Sequence, residues 1–135
     1  MASRDRPLPR FPEPDTQPFW EATRNHELRY QACDKCSAVV FYPRRHCTHC
    51  LSLALTWKLS GGEGVIYTYS IVRQTYDPAF APLVPYVIAW IDLDEGFRML
   101  SNVVGAAPEA VHIGQRVQVQ WLDYEEVSLP VFRPL

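Results

Sequence analysis

Cys33, Cys36, Cys47 and Cys50 are the four cysteines of the chain, and they fall as two Cys-x-x-Cys pairs. Two knuckles of this kind bring four thiolates to the corners of a tetrahedron, each sulfur about 2.3 Å from one zinc. A site closed by four protein ligands leaves no position open for water or substrate, so one structural zinc per chain is expected. Three other uses of these thiols stay open on spacing alone. Disulfides need an oxidising compartment, and the start of the chain lacks the charged, apolar and small-residue regions of a secretory signal. A thioredoxin-like redox pair needs one Cys-x-x-Cys rather than two. His46 or His49, which flank the second pair, could replace a sulfur.

With the thiols committed to metal, no activated cysteine remains for acyl transfer. His26 and His112 lie outside the cysteine region with no nucleophile beside either, and both read as surface histidines. Asp92, Asp94 and Glu95 fall in a hairpin where solvation accounts for them. No catalytic residue is expected, and the chain is not expected to be an enzyme on its own.

The elements that must position the cysteines follow from the surrounding pattern. Residues 1–17 read as an extended, proline-rich arm, with Asp15 and Thr16 as candidate caps for a short helix that starts at Pro18 and runs to Asn25. Residues 28–32, 38–42 and 54–59 read as short strands around the two knuckles. Gly61, Gly62 and Gly64 mark a break. Beyond it, strands are expected over residues 65–72, 86–93, 97–104, 116–121 and 129–132, with a turn or 3₁₀ segment at 108–111. Strands of this number in so short a span fit a small closed barrel, for which the OB-fold is the natural candidate. The expected fold is mainly β: a short N-terminal helix and rubredoxin-like zinc ribbon over residues 18–60, then an OB-fold barrel over 61–135.

Charge is unevenly spread. Residues 24–58 carry six cations against Glu27 and Asp34, whereas residues 61–135 carry nine acids against four arginines. A duplex-DNA protein normally shows a basic stripe over its main body. A basic ribbon on an acidic barrel points instead to a small anionic ligand or an acidic patch on a partner, with plain solvated surface charge as the alternative. No apolar run approaches the roughly 20 residues that cross a bilayer, so no membrane span and a cytoplasmic location are expected. Residues 76–85 form a loop bearing Tyr, Phe, Leu and Val and stiffened by three prolines, Pro78, Pro82 and Pro85. Apolar groups held on a rigid loop suit contact with a partner or ligand, or a lid on the barrel's own end. Phe19 and Trp20 pack either on the chain's own ribbon or on a partner. A single-stranded nucleic-acid binder is the alternative from another class, with Tyr67, Tyr69 and Trp90 as stacking surfaces. The acidic barrel opposes it.

Taken in order, Phe19-Trp20-Glu21-Ala22, the four cysteines with Pro43-Arg44, Gly62-Glu63-Gly64, Pro85-Tyr86-Val87, Asp94-Glu95-Gly96, Ile113-Gly114 and Pro130-Val131-Phe132-Arg133-Pro134 are the motifs of a known family. The chain resembles the zinc-ribbon plus OB-fold proteins once labelled domain of unknown function 35. Ser37 departs from the glycine that commonly follows the first knuckle. The resemblance implies a non-catalytic accessory subunit of a thiolase-superfamily acyl-CoA enzyme: a thiolase, a synthase, or a lipid-transfer-protein-like aldolase of steroid side-chain degradation. It implies that the barrel helps form the acyl-CoA passage while Phe19 and Trp20 help dock the helix and ribbon on the partner. A heterotetramer with two copies of each subunit is expected, because thiolase-like enzymes are commonly dimers. Coenzyme A asks for cations near its phosphates and apolar groups near its chain. Arg44, Arg45 and Lys58 are candidates for the first, and Tyr67, Tyr69 and Phe80 for the second, in contact with acyl-CoA or with the partner.

Overall fold

Helix α1 (Gln17–Thr23) starts as Pro18 demands, with its fixed φ in the first turn, but Thr16 does not cap it through its side chain. The Thr16 hydroxyl donates instead to the Glu13 carbonyl at 3.4 Å. A helix this short is marginal alone, and it is held by the burial of Phe19, Ala22 and Thr23. The Thr23 hydroxyl donates to the Trp20 carbonyl at 2.6 Å and accepts the Ser128 amide at 3.3 Å, which ties the helix to the end of the chain. The computed structural model describes residues 6–10 and 13–135, so the expected arm lies partly outside the described residues.

The ribbon is a three-stranded antiparallel sheet in the order β2-β1-β3, built from β1 (Arg29–Cys33), β2 (Val39–Val40) and β3 (Leu55–Leu59). The second strand is shorter than the expected 38–42. Its continuation leaves the sheet because Phe41 packs on Phe97 of the second half, with ring centroids 4.7 Å apart. The Tyr42 hydroxyl accepts the Leu100 amide at 2.8 Å.

Five strands close the barrel in the order β4-β5-β6-β8-β7: β4 (Glu63–Val72), β5 (Tyr86–Leu93), β6 (Arg98–Val103), β7 (Arg116–Asp123) and β8 (Ser128–Pro134). A 3₁₀ turn at Pro108–Ala110 joins β6 to β7, as the proline placement predicts. The Gly62-Glu63-Gly64 motif has a steric reason. Gly64 pairs with Leu93 on one side and Val117 on the other, and a Cβ there would collide with the Asp92 carbonyl. Gly62 has φ +75°, and a Cβ there would run into the Val119 side chain.

A β-bulge between Ile66 and Thr68 changes the phase of β4. Gly64 and Ile66 face the core before it, and Tyr69 and Ile71 after it. The strand expected over residues 65–72 is present, but strict alternation along it, with Tyr67 and Tyr69 on one face, does not hold. The core holds Ile66, Val87, Ile91, Met99, Val117 and Phe132 of the barrel together with Phe19 and Leu28 from outside it. Tyr30 and Phe41 of the ribbon lie on Phe97, so the ribbon and the barrel share one apolar interior.

Candidate metal centre and contact surfaces

Each knuckle sits where a ribbon strand turns, so local hydrogen bonds bring its sulfurs inward. Amides of Cys36, His49 and Cys50 point at sulfur: Cys36 N–H to Cys33 Sγ at 3.5 Å, and the other two to Cys47 Sγ at 3.3 and 3.5 Å. The four Sγ atoms lie within 4.8 Å of one another. Cys33–Cys50 and Cys36–Cys47 are 3.6 Å apart, close to the roughly 3.8 Å edge of a tetrahedron with 2.3 Å metal–sulfur bonds. The cysteines are free thiols, not disulfides. His46 and His49 are exposed and lie outside this group, so neither replaces a sulfur.

The environment divides the thiols. The Cys50 amide lowers Cys47 to about 6 against the effect of burial, with the His49 amide and neighbouring sulfurs acting the same way. Cys33 is lowered chiefly by the Cys36 amide. The Ala38 amide acts to lower Cys36, but burial and the three neighbouring sulfurs outweigh it and push that thiol up to about 12. Four sulfurs this close suit a soft dication that neutralises them together.

Beside the knuckles, Arg44 is pinned through its backbone. Gln31, 4% exposed, donates to the Arg44 carbonyl and accepts the Arg44 amide, both at 2.8 Å. Sequence reading missed Gln31, since a polar residue within a strand gives no sign of being buried. Arg44 and Arg45 line a groove of about 390 Å³ with Leu53, Leu55 and Trp57. Lys58 is exposed on β3 and is not in that lining.

The other proposed contact residues are scattered. Tyr67 is half exposed on the outer face, with the Arg98 guanidinium 3.5 Å from its ring centroid. Arg98 is itself held by Asp92 at 2.6 and 3.1 Å. Tyr69, beyond the bulge, packs against the core. Phe80 lies beside Tyr86 with the Arg6 guanidinium 5.3 Å from its ring. Its loop is closed on itself: Asp77 Oδ1 accepts the Ala79 amide at 2.9 Å, and Ala79 is buried. The Arg44–Arg45 pair, Tyr67 and Phe80 thus occupy three places, and Tyr67 and Tyr69 do not form one stacking platform.

Phe19 was a candidate for docking, and its burial corrects that. It is 5% exposed and meets Phe41 and Trp20 at 5.8 and 4.9 Å, so it belongs to the chain's own core. Trp20 is half-buried and lines an apolar cavity of about 260 Å³ with Tyr42, Leu100 and Pro130. Arg6 Nε and Nη1 are buried at that cavity without a hydrogen-bond partner among the described residues.

One arrangement outside the ribbon has the residue types of a hydrolase but not the order. His26 Nε2 and Ser128 Oγ both lie 2.6 Å from Asp123 Oδ1. A nucleophile must contact its base, and here the carboxylate stands between them. His26 also stacks on Trp121, centroids 5.5 Å apart. The Ser128 hydroxyl and then His26 hold Asp123 below the usual carboxylate range, which makes this a structural clasp between the helix end and β7–β8.

Comparisons with known proteins agree with this architecture. Residues 20–56 match the family described as the ChsH2 rubredoxin-like zinc ribbon domain, and residues 57–122 match the ChsH2 C-terminal OB-fold domain. A probable enoyl-CoA hydratase alpha subunit of Thermomonospora curvata is 38% identical over 118 residues, 86% of this chain and 36% of that protein. The 3-oxo-4,17-pregnadiene-20-carboxyl-CoA hydratase alpha subunit of Mycobacterium tuberculosis is 32% identical over 120 residues, 89% of this chain and 38% of that protein. The chain thus spans little more than a third of the length of these two curated relatives. A DUF35 domain-containing scaffold protein of Methanothermobacter thermautotrophicus is 31% identical over 71% of this chain and 72% of its own length. Among solved structures, a chain of the Ltp2-ChsH2(DUF35) aldolase superposes with a TM-score of 0.84 at 35% identity, covering 93% of this chain and 98% of that one. The four-cysteine ribbon, the five-stranded barrel and these matches together place the chain in the DUF35 family, as a zinc ribbon joined to an OB-fold of the ChsH2 type.

Proposed function

We propose that this chain is a non-catalytic accessory subunit that binds and supports a thiolase-superfamily acyl-CoA enzyme. The preferred partner is a lipid-transfer-protein-like aldolase of steroid side-chain degradation, and the other choice is a thiolase. The observation that carries this reading is the likeness, over nearly the full length of both chains, to a chain of the Ltp2-ChsH2(DUF35) aldolase. Two features of the residues support it. The four cysteines face one another at metal-binding distances, which leaves no thiol for attack on an acyl group. His26 and Ser128 meet only through Asp123, so no hydroxyl is activated there.

In this reading the cysteines hold one structural zinc, whose chemistry is to cross-link the two knuckles and so fix the backbone that carries Arg44 and Arg45. The assembly is a heterotetramer with two copies of each subunit in the cytoplasm. Among the described residues, no helix is long and apolar enough to cross a membrane. The barrel helps form the acyl-CoA passage, with Trp20, Tyr67, Phe80 and the ribbon cations in contact with partner or ligand. The test is co-expression with an aldolase-type or thiolase-type enzyme from the same organism, followed by measurement of complex mass and acyl-CoA turnover. A stable complex is expected, with enzyme activity that falls sharply when this chain is left out. An enzyme equally active alone contradicts the proposal.

A further inference from the structure

The residue after the second cysteine of each knuckle closes a tight turn. Ser37 donates its amide to the Cys33 carbonyl at 2.9 Å, and Leu51 donates to the Cys47 carbonyl at 3.0 Å. Both are left-handed, with φ 64° and 67°. Glycine adopts that region freely, and a residue with a bulky side chain is strained there. The knuckle dictates the conformation but not the choice of leucine. Leu51 is 71% exposed and Leu53 is 70% exposed. Leu51 therefore accepts backbone strain while returning almost no buried apolar area to the fold. Strain of this kind, observed where folding does not need it, points to function.

The surroundings define what would cover it. Leu53 continues into the groove with Leu55, Trp57, Arg44 and Arg45. Among the described residues neither arginine has a carboxylate partner, whereas Arg29, Arg73, Arg98 and Arg116 are each paired. Asp15 is the acid in the groove's lining, and Asp34, outside that lining, already accepts the Thr56 hydroxyl at 2.9 Å. We propose that Leu51 and Leu53, the latter sharing its groove with Arg44 and Arg45, form an anchor that enters an apolar depression rimmed by carboxylates on a protein partner. The proposal rests on the accessory-subunit reading and adds the surface and chemistry of the contact. A protein fits better than a bilayer, because two leucine side chains bury far less than the single acyl chain that gives only marginal membrane binding. Aliphatic tips also give bases nothing to stack on.

The test compares the full-length, metal-loaded chain with Leu51→Gly, Leu53→Ser and the double charge reversal Arg44→Glu with Arg45→Glu. The probe is the aldolase-type or thiolase-type enzyme of the co-expression experiment. Leu51→Gly is expected to retain its metal, to keep its Tm or gain about 2–4 °C, and to bind at least about ten-fold more weakly. Leu53→Ser is expected to show a similar loss, and the charge reversal to weaken binding and reverse its salt dependence. Equal binding by wild type and Leu51→Gly overturns the anchor and leaves the accessory reading standing. A lowered Tm for Leu51→Gly also overturns it, by making Leu51 a fold residue. No complex with the wild-type chain overturns both readings. Leu51-dependent binding to phosphatidylserine vesicles or to a single-stranded oligonucleotide, without enzyme binding, overturns the choice of a protein partner.

Discussion

At the scale of the residue, the sulfurs are held by amides before any metal arrives. Cys47 at about 6 is largely a thiolate at neutral pH, while Cys36 at about 12 keeps its proton until a cation replaces it. Metal binding must therefore release fewer than four protons per chain at pH 7, and titration calorimetry in buffers of different ionisation enthalpy measures the number. Release of four protons would mean that the amide arrangement leaves the thiols unperturbed. Because each remaining proton competes with the ion, affinity should fall as pH falls, most steeply once Cys47 is protonated near its value of about 6. The cysteines were legible in sequence because a knuckle is local: two ligands and the turn between them sit in four consecutive residues. Gln31 was not legible, since its role depends on Arg44 thirteen residues away. Leu51 was equally hidden, as one leucine among many until its φ and exposure are known.

At the scale of the element, alternation placed the barrel strands well and the bulge did not announce itself. The expected strand over 86–93 coincides with β5, because an apolar run from Tyr86 to Ile91 is ended by a turn at Asp94-Glu95-Gly96. In β4 the extra residue between Ile66 and Thr68 shifts Tyr69 inward, and nothing local distinguishes Tyr67 as the residue that is skipped. The Gly62-Glu63-Gly64 motif, noticed first as a break, is a crossing point where β4 meets β5 and β7 together. Gly64→Ala is therefore expected to destabilise the chain by at least about 2 kcal/mol in urea unfolding, since backbone and not a flexible side chain opposes the new methyl. A change within a few tenths would contradict the close approach. The neighbouring cluster works through charge: Arg116 donates to Asp94 at 2.7 and 2.8 Å and to Glu63 at 3.2 Å, fastening the hairpin to β4 and β7. The Arg116 hydrogen bonds lower the Asp94 pKa, so the small stabilisation from this exposed pair is present above the usual Asp value and is lost as pH falls through the lowered one.

At the scale of the whole molecule, ribbon and barrel are coupled through Phe97, on which Tyr30 and Phe41 lie at 5.1 and 4.7 Å. Stripping the metal should therefore lower the thermal stability of the barrel as well as unfold the ribbon, in one cooperative transition. Phe97→Ala should cost about 3–5 kcal/mol and split that transition into two, which calorimetry with and without chelator would resolve. A barrel transition indifferent to chelation would mean that the two parts merely abut. Ion pairing singles out two cations of the ribbon, since its Arg29 is paired with Glu27. The barrel's Arg73, Arg98 and Arg116 are paired within the chain, and Arg44 and Arg45 of the ribbon have no carboxylate partner among the described residues. That difference was only half visible in sequence, which gives the sign of each half but not which cations are already neutralised.

In the proposed role, this chain's metal and fold serve another polypeptide's chemistry. Acyl-CoA turnover should be measured for the purified chain, for its aldolase-type or thiolase-type partner, and for the two mixed at equal molarity. No turnover is expected from the chain, little from the partner, and a large gain from the mixture that saturates at one chain per partner subunit. Turnover by the purified chain alone, or a partner indifferent to its presence, would contradict it.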